Sequence, residues 1–512
     1  MTRADVRGTP APRRNAARLL LLVVSCAAVA WVWGPAGRAT SDSASYLDGA
    51  RHLAAGEGFV SSHVRIGATA PRPIVDFAPG FSAGIAAAGV TGGLDVHRAA
   101  ALVIGFAYVV YVAAAYLLLC EVSAARWPWL ALLAAVALML HPAVLQMLDT
   151  IGSDLPGAAL WAAAVWLTLR LIARPGLDLR QAAGVAALMG LAILVRWSAL
   201  YLAIALAAGL FVAAAPRWSR GDRLRGALVL LLGALGLAAP WMARNYLATE
   251  TLVGYRRIHL SNPLAVALDA LRGIASGPVD GFAPVAWTPL GTAALLAALP
   301  VLALAGRRAW QHEPARLAVV SAPVFVALLV LSAAVSPIDP LHAARFWLPL
   351  WPLLGAILLG ALATLDAPTA RVAVGALALL LAFAAGRFGV AFVGGLDGAR
   401  TGRDFLQPSL AASAPLHYLR QAGGRTLLSN DPRVVLIHAS APLVHDLPEA
   451  DLLRPLLRRP VAILLFTQTM TPRIESRLAA QRRMLADLQA EGLASRVAVD
   501  PAGEVWLSQS NR

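Results

Sequence analysis

The side chains of this chain that could do acid–base chemistry are concentrated in one polar segment, which follows the first hydrophobic run. Residues 41–59 read SDSASYLDGARHLAAGEGF and include Asp42, Asp48 and Glu57. A carboxylate can accept the proton of an attacking hydroxyl group. A chain that spans a membrane hides its backbone polar groups in helices, so a long polar loop between apolar runs needs a functional reason. We therefore interpret this segment as part of an active-site loop.

The composition indicates that the elements around this loop lie in a membrane. Of the 512 residues, 59% are hydrophobic and 14% are charged, and the mean hydropathy is +0.67. A soluble globular domain carries about 25% charged residues, so the chain is predicted to be an integral membrane protein. The net charge of +15 comes from arginine, since the sequence contains no lysine. These arginines lie mainly in short loops between apolar runs, which indicates contact with membrane lipids and no nucleic-acid partner.

The N-terminal end sets the predicted orientation of the chain in the membrane. Arginines are frequent in residues 1–18, and the apolar run 19–33 follows them. The next residues, GPAGRAT, are a poor cleavage site, so we predict an uncleaved first helix with a cytoplasmic basic end; a signal peptide is the alternative. The loop 34–98 is then on the outer face. Within it, residues 82–90 are too short to span and are predicted to be interfacial or re-entrant.

Apolar runs of about 20 residues predict the membrane spans. With the first helix they give about eleven transmembrane helices and an outer C-terminus. The long run 182–215 is interpreted as two shortened helices that meet near Arg196, and one long helix is the alternative. The further spans are predicted at residues 99–119, 128–147, 155–172, 224–241, 286–304, 317–335, 347–365 and 372–392.

The composition becomes more polar from about residue 393. The segments TLLSN, VVLIHAS, VAILLFT and EVWLSQ are predicted to be strands, and residues 451–458 and 472–492 to be helices. The predicted domains are therefore a basic cytoplasmic N-terminus (1–18), a transmembrane domain (19–392) and a small extracytoplasmic α/β domain (393–512). The last contains neither GxGxxG nor a P-loop, so we assign it no nucleotide chemistry.

Short motifs in a fixed order along residues 17–365 carry a resemblance to a known family. They are SDSASYLDGARHLAAGEGF, a Pro-Gly-Phe before an apolar segment, TIGSDLP, RW after GLAILV, PWMARNY and HAARFWLPLWPLL. In this order the chain resembles the bacterial GT-C glycosyltransferases that are related to protein O-mannosyltransferases and aminoarabinose transferases. The resemblance implies a multi-pass α-helical membrane protein of the GT-C type that transfers a sugar from a polyprenyl-phosphate-linked donor. It names neither the sugar nor the acceptor.

The chemistry of such a transfer nominates the catalytic candidates. A phosphate leaves as a stable anion, so the site must supply a base for the incoming hydroxyl and cations for the departing charge. Asp42 is the candidate base, at a position where similar enzymes carry an acidic residue; a helix N-cap is the alternative. Asp154 is the second candidate, to orient the acceptor or support a metal. Its alternative is a cap on the helix that follows.

Substrate binding is predicted for polar residues at the outer ends of spans. Arg196, Arg244 and Arg345 could hold the lipid phosphate through bidentate guanidinium contacts, with snorkelling to lipid headgroups as the alternative. Asn245 follows Arg244 in PWMARNY and matches the family pattern. The further substrate-binding candidates are Tyr46, Tyr255, Arg256 and His342.

The predicted function is transfer to a hydroxyl of a lipid, glycan or protein acceptor on the outer face of a bacterial inner membrane. The sequence has no HExxH and no close His pair, so no metal ligands are assigned, and participation of a divalent metal is left open. A membrane transporter or lipid-carrier flippase of envelope polysaccharide synthesis is the alternative. Against it, the sequence shows no internal repeat and no matched pair of broken helices. An inactive transferase that serves as a scaffold is a third hypothesis.

Overall fold

The computed structural model describes residues 11–34, 37–123, 126–254, 261–276, 303–335, 344–400, 403–404, 406–420, 425–440, 443–467 and 472–509. The chain forms two compact units. The first comprises Met1–Pro35, Ile104–Leu148 and Ser153–Leu396, and the second comprises Ala36–Val103, Asp149–Gly152 and Asp397–Arg512. This division differs from the one expected from composition. Most of the polar loop 34–98, called the first loop below, belongs to the same unit as the C-terminal segment.

Helices dominate the described residues. In chain order they are Ala11–Trp33, Ser41–Ala54, Gly80–Gly92, Val96–Val122, Pro128–Met139, Pro142–Asp149, Asp154–Ile172, Leu179–Val195, Ala199–Ala213, Arg220–Thr249, Pro263–Ser276, Arg316–Val335, Leu350–Ala363, Ala367–Arg400, Pro408–Ala411, Ala414–Leu419, Pro432–His438, Ala450–Leu456 and Pro472–Ala490. Two short 3-10 turns, Glu313–Ala315 and Ala344–Phe346, precede the helices Arg316–Val335 and Leu350–Ala363.

Within the described residues, six helices are long and apolar enough to cross a membrane, and a bent pair makes up to seven. The bent pair is Pro128–Met139 with Pro142–Asp149, which meet at an angle of 50°. Proline disfavours the helical conformation of the residue before it, which explains the break at His141. The six are Ala16–Trp33, Val96–Val122, Asp154–Ile172, Arg220–Thr249, Glu313–Val335 and Ala367–Val390. The total of about eleven stays a prediction, because most of the predicted span 286–304 lies outside the described residues.

The apolar run 182–215 is divided as predicted. The helix Leu179–Val195 ends at Arg196, whose backbone is extended with φ −153° and ψ 121°. The next helix, Ala199–Ala213, begins after Ser198. The alternative of one long helix is therefore excluded, and Arg196 lies in the break between two packed apolar helices.

The second unit is built on a six-stranded sheet. Across the sheet the strands are β3 (His63–Val64), β7 (Val444–Asp446), β6 (Thr426–Ser429), β8 (Val461–Phe466), β10 (Gly503–Ser508) and β9 (Ala494–Asp500). The strands β3, β7, β6 and β8 run parallel, whereas β10 is antiparallel to both β8 and β9. Every residue of β8 is buried, which explains its continuous apolar sequence. The other strands form two short pairs. They are β1 (Arg38–Ala39) with β5 (Arg403–Asp404), and β2 (Val60–Ser61) with β4 (Arg72–Pro73).

One strand prediction in this unit is wrong. VVLIHAS forms the end of the helix Pro432–His438, with Pro432 in its first turn, where a missing N–H costs no hydrogen bond. A short apolar run does not distinguish a buried helix from a buried strand. The strands β7 and β9 were not predicted, whereas TLLSN, VAILLFT and EVWLSQ coincide with β6, β8 and β10.

Candidate functional site

A small cavity in the first unit brings together three of the predicted site residues. Asp154, Arg196 and Arg345 line it, and its volume is about 30 Å³. The other walls are largely apolar and include Phe325 and Phe346. The cavity therefore places one carboxylate and two guanidinium groups on an apolar background, where charge–charge interactions are less screened than in water.

Three separate breaks in the helical structure supply these side chains. Asp154 is the first residue of the helix Asp154–Ile172. Arg196 lies in the break described above, and Arg345 lies in the 3-10 turn Ala344–Phe346. Residues at helix ends are free of the regular packing that holds mid-helix side chains, so they can turn towards a common cavity.

Arg196 is anchored by two serine hydroxyls. Its Nε donates to Ser198 Oγ at 3.1 Å and its Nη1 donates to Ser153 Oγ at 3.3 Å. The same Nη1 lies 3.1 Å from Asp154 Oδ1, and both side chains are mostly buried. The two hydroxyls thus fix the guanidinium beside the carboxylate. Neither serine was selected from the sequence, although Ser153 belongs to TIGSDLP and Ser198 follows the RW motif.

Asp154 does not cap its own helix. The N-cap is Ser153, whose carbonyl accepts from Gly157 N at 3.0 Å. Despite its short distance to Arg196, the buried Oδ1 atom of Asp154 receives no hydrogen bond from any residue in the described part of the chain. The contact is an ion pair without hydrogen-bond geometry, so the described residues leave part of the hydrogen-bonding capacity of this carboxylate unused.

Asp42 lies in the second unit, in the first turn of the helix Ser41–Ala54. The N-cap of this helix is Thr40, whose N–H donates to Ser43 Oγ at 2.8 Å. The capping alternative for Asp42 therefore does not hold. The carboxylate is partly exposed and bonds to none of the described residues. Its approach to the arginines of the first unit stays a prediction.

Two of the sequence motifs meet inside the second unit. Ser43 of the first loop donates its hydroxyl hydrogen to the carbonyl of Ile151, in TIGSDLP, at 2.7 Å. The N–H of Ile151 in turn donates to the carbonyl of Arg38 at 2.9 Å. Ser43 and Ile151 are both buried, so water does not compete for the first of these bonds. Hydrogen bonds thus connect the segment that contains Asp42 to residue 151 of the motif TIGSDLP.

Arg244 and Asn245 do not line the cavity of the first unit. Arg244 stacks over Trp241, with its Cζ 5.0 Å from the ring centre, and donates from Nη1 to Asn245 Oδ1 at 3.1 Å. Asn245 is fully buried and donates to the carbonyl of Leu252 at 3.3 Å. These contacts hold the end of the helix Arg220–Thr249 and the turn after it, so they favour a structural role for Asn245.

Tyr46 is buried within the second unit. Its ring packs edge-on against Phe77 at 5.0 Å and Phe81 at 5.1 Å, and its carbonyl accepts from Ser82 Oγ at 2.9 Å. This environment favours packing over contact with a sugar. The other substrate-binding candidates, Tyr255, Arg256 and His342, lie outside the described residues.

The first loop also contains a partly buried polar network, in which Asp48 and Ser62 are the buried members. Asp48 accepts from Ser62 N at 2.8 Å, and burial raises the pKa of its carboxyl above the usual 3.8. His52 contacts Glu57 through Nδ1 at 2.5 Å and Ser62 Oγ through Nε2 at 2.9 Å. Arg51 donates to the carbonyls of Leu436 and Ile437, which end the helix Pro432–His438. The bonds of Arg51 connect the first loop to the helix Pro432–His438.

Among the described residues, no group of three or more His, Cys, Asp and Glu side chains could hold a metal ion. Asp154 has arginine as its charged neighbour rather than a second carboxylate or a histidine. The cavity of the first unit therefore suits an anion better than a cation, since a metal site is normally built from several oxygen, nitrogen or sulfur ligands.

The chain matches no protein-family model and no curated protein sequence. Its structure is similar to that of ArnT from Cupriavidus metallidurans bound to undecaprenyl phosphate, with a TM-score of 0.62 and 15% identity over 96% of this chain and 98% of ArnT. It is also similar to AglB, the oligosaccharyltransferase of Archaeoglobus fulgidus. The AglB complex with an inhibitory peptide and a dolichol-phosphate has a TM-score of 0.52 and 13% identity over 96% of this chain and 74% of AglB.

A second AglB structure, a complex with Zn and sulfate, has a TM-score of 0.53 and 13% identity over 95% of this chain and 73% of AglB. ArnT and AglB are both glycosyltransferases of the GT-C fold. The likeness extends over almost the whole chain, so the predicted GT-C fold is confirmed. At these identities the likeness concerns the fold and does not by itself assign a reaction.

Proposed function

We propose that this chain is a glycosyltransferase that moves a sugar from a polyprenyl-phosphate-linked donor to an acceptor hydroxyl. The observation that carries the proposal is the cavity in which Asp154, Arg196 and Arg345 meet. Two guanidinium groups can bind the phosphate anion that the reaction releases. A carboxylate on the same cavity can interact with the hydroxyl group that gives up its proton. The GT-C fold, shared with proteins whose structures hold undecaprenyl phosphate or dolichol-phosphate, supports the same reaction.

Each charged group has a role in this reaction. Arg196 and Arg345 bind the phosphate and stabilise the negative charge that grows on it as the anomeric bond breaks. Asp154 accepts a hydrogen bond from the acceptor and fixes its orientation, since the described residues leave part of the capacity of its carboxylate unused. Asp42 takes the proton of the attacking hydroxyl. Support for Asp42 comes from its carboxylate, which neither caps the helix nor pairs with a described residue.

The membrane placement is part of the proposal. The basic N-terminus stays in the cytoplasm, so the first loop and the second unit lie on the outer face of a bacterial inner membrane. The donor reaches the cavity from the lipid phase, and the acceptor is a lipid, a glycan or a protein on the same side. This placement is supported by the arginine-rich loops that alternate with the polar, acidic ones.

The proposal is tested in a strain that lacks the gene and carries it back on a plasmid. We expect polyprenyl-phosphate-linked sugar to accumulate and an envelope glycan to lose a sugar in the deletion strain, as measured by mass spectrometry. The wild-type gene restores both, and Asp42→Asn lowers transfer by about 100-fold or more, which is the usual contribution of a general base. The matched control is Asp451→Asn, which changes a carboxylate that is 97% exposed on a surface helix.

Three outcomes would contradict the proposal in different ways. Unchanged lipid-linked sugars in the deletion strain would exclude the transferase reaction. Full transfer by Asp42→Asn at a normal protein level would remove the base assignment only. Movement of the lipid carrier across the membrane without transfer of its sugar would favour a flippase.

A further inference from the structure

The second unit contains a larger cavity, of about 320 Å³, that no part of the proposed reaction uses. It is lined by Asn430, Asp446, Leu447, Arg477 and Gln481. Asp446 ends β7 and Asn430 directly follows β6. The cavity is thus at the carboxyl ends of two parallel strands, which is where open α/β sheets bind ligands. Its volume is at the small end of the range for small-molecule sites, about 300–1,000 Å³.

The floor of this cavity is rigid. Asn430 donates from Nδ2 to the carbonyl of Phe466 at 2.8 Å and accepts from Phe466 N at 2.8 Å. The N–H of Leu447 donates to the carbonyl of Ser429 at 2.8 Å. These bonds connect the ends of β6, β7 and β8. A preformed floor reduces the ordering cost of binding.

Two side chains that carry hydrogen-bond acceptors line this cavity. Gln481 Oε1 is buried and receives no hydrogen bond from any residue in the part of the chain that the structure describes. The Asp446 carboxylate is largely exposed, and His63 Nε2 contacts its Oδ2 atom at 3.1 Å. That contact lowers the pKa of Asp446, so the group is a carboxylate at neutral pH. An amide and a carboxylate both suit the hydroxyl groups of a ligand.

One cation on the cavity wall is available for a charged ligand. Arg433, which lies near Asp446, is held by two hydrogen bonds to Asp431, at 2.8 and 3.0 Å. Arg477 is exposed, and none of the described residues forms an ion pair or hydrogen bond with it. Its planar guanidinium presents paired N–H donors that match the two oxygens of a carboxylate.

We propose that this cavity binds a sugar acid, namely a single pyranose ring that carries a carboxylate. The carboxylate pairs with Arg477, and ring hydroxyls bond to the Gln481 amide and the Asp446 carboxylate. A neutral sugar would lack the ion pair with Arg477, and a simple carboxylate would lack the hydrogen bonds to Gln481 and Asp446. The inference concerns the second unit alone and does not depend on the transfer reaction.

The test is calorimetric titration of the full chain in lipid nanodiscs with D-glucuronate, D-glucose and acetate. Saturable binding of glucuronate is expected, at least about tenfold tighter than that of glucose or acetate, because hydrogen bonds to a charged group contribute roughly 1.4 kcal/mol or more. Arg477→Gln and Gln481→Leu should each weaken glucuronate binding by about tenfold. Arg483→Gln, on the same helix but outside the cavity, should leave the affinity unchanged.

Several results would overturn the inference. They are the absence of saturable glucuronate binding, equal affinity for glucuronate and acetate, equal affinity for glucuronate and glucose, or unchanged affinity in Arg477→Gln. A matching melting temperature for wild type and variants shows that any loss comes from the site and not from unfolding. Because the titration contains no lipid-linked donor, a negative result leaves the proposed transfer reaction untouched.

Discussion

Arg196 and Asp154 form a partly buried ion pair in which Nη1 lies 3.1 Å from Oδ1. The hydroxyls of Ser153 and Ser198 hold the guanidinium in place, while Oδ1 receives no hydrogen bond from the described residues. The guanidinium of Arg196 is therefore fixed before substrate binds, and the carboxylate of Asp154 keeps unused capacity to accept a hydrogen bond. Substitutions of Arg196 and Asp154 therefore test the site most directly.

Removal of either member of this pair should lower sugar transfer. We expect Asp154→Asn and Arg196→Gln each to reduce the rate by about tenfold or more, since hydrogen bonds and ion pairs to charged groups contribute roughly 1.5–3 kcal/mol. The double variant should be less impaired than the product of the two single losses, because residues in direct contact show coupling of about 0.5–3 kcal/mol. Transfer rates in membranes with equal protein levels measure this. Strictly multiplicative losses would show that the two residues act separately.

Arg345 and Arg244 should differ in their effect on donor binding. Arg345 lines the cavity of the first unit, whereas Arg244 stacks on Trp241 and bonds to Asn245 outside it. We expect Arg345→Gln to raise the KM for the lipid-linked donor by about tenfold and Arg244→Gln to change it less. The measurement is the donor dependence of the transfer rate. An equal or larger effect of Arg244→Gln would contradict the placement of the phosphate in this cavity.

The buried carboxyl of Asp48 should make stability depend on pH. Its pKa is raised by burial in the folded state, so the folded chain binds this proton more tightly than the unfolded chain, and stability falls as pH rises above 3.8. Asp48→Asn keeps an acceptor for Ser62 N and should remove this fall. The melting temperatures of wild type and variant are compared from pH 3.8 upward, and a constant difference would contradict the prediction.

A second Asp48 variant separates charge from hydrogen bonding. Compared with Asp48→Asn, Asp48→Ala leaves the buried N–H of Ser62 without its acceptor, which costs about 1–3 kcal/mol at every pH because neither variant titrates at this position. The matched control is again Asp451→Asn on the surface. It should reproduce neither the pH-dependent nor the constant effect.

Gly209 should be intolerant of a side chain. A Cβ at this position would lie 2.2 Å from Ser321 Oγ and 3.2 Å from the carbonyl oxygen of Leu317, so the helices Ala199–Ala213 and Arg316–Val335 would have to separate. Small residues allow such close approach in membrane proteins. We expect Gly209→Ala to cost about 1–3 kcal/mol. Thermal unfolding in detergent measures the loss.

Two further variants make the glycine test specific. Gly236→Ala is the matched control, because a Cβ there has no heavy atom within 4 Å. Combining Gly209→Ala with Ser321→Ala removes the hydroxyl that collides with the new methyl group and should recover part of the stability. Equal melting temperatures for Gly209→Ala and Gly236→Ala would show that the helices can adjust freely.

Much of the fold could be predicted from local sequence patterns. Apolar runs identified the helices of the first unit, and the arginine within the run 182–215 marked the break where Arg196 lies. Continuous apolar segments identified β6 and β8. VVLIHAS could not be assigned correctly, because four consecutive apolar residues suit either a buried helix or a buried strand until their neighbours are known.

The site was predicted in part. The sequence selected Asp154, Arg196 and Arg345 by residue type and by position at helix ends, and all three line one cavity. It also selected Tyr46, which is buried among phenylalanines, and Asn245, which closes a turn. Residue type and position do not reveal which way a side chain points.

By itself the sequence determined that this is a membrane protein of many apolar helices with a polar first loop and a mixed α/β segment near its end. These properties depend on composition and on local periodicity, which each stretch of chain carries alone. Only the tertiary structure decided that Arg196 pairs with Asp154, that β3 of the first loop joins the C-terminal sheet beside β7, and that Gln481 and Arg477 line one cavity. Such contacts join residues far apart in the chain, and they form because packing brings their elements together.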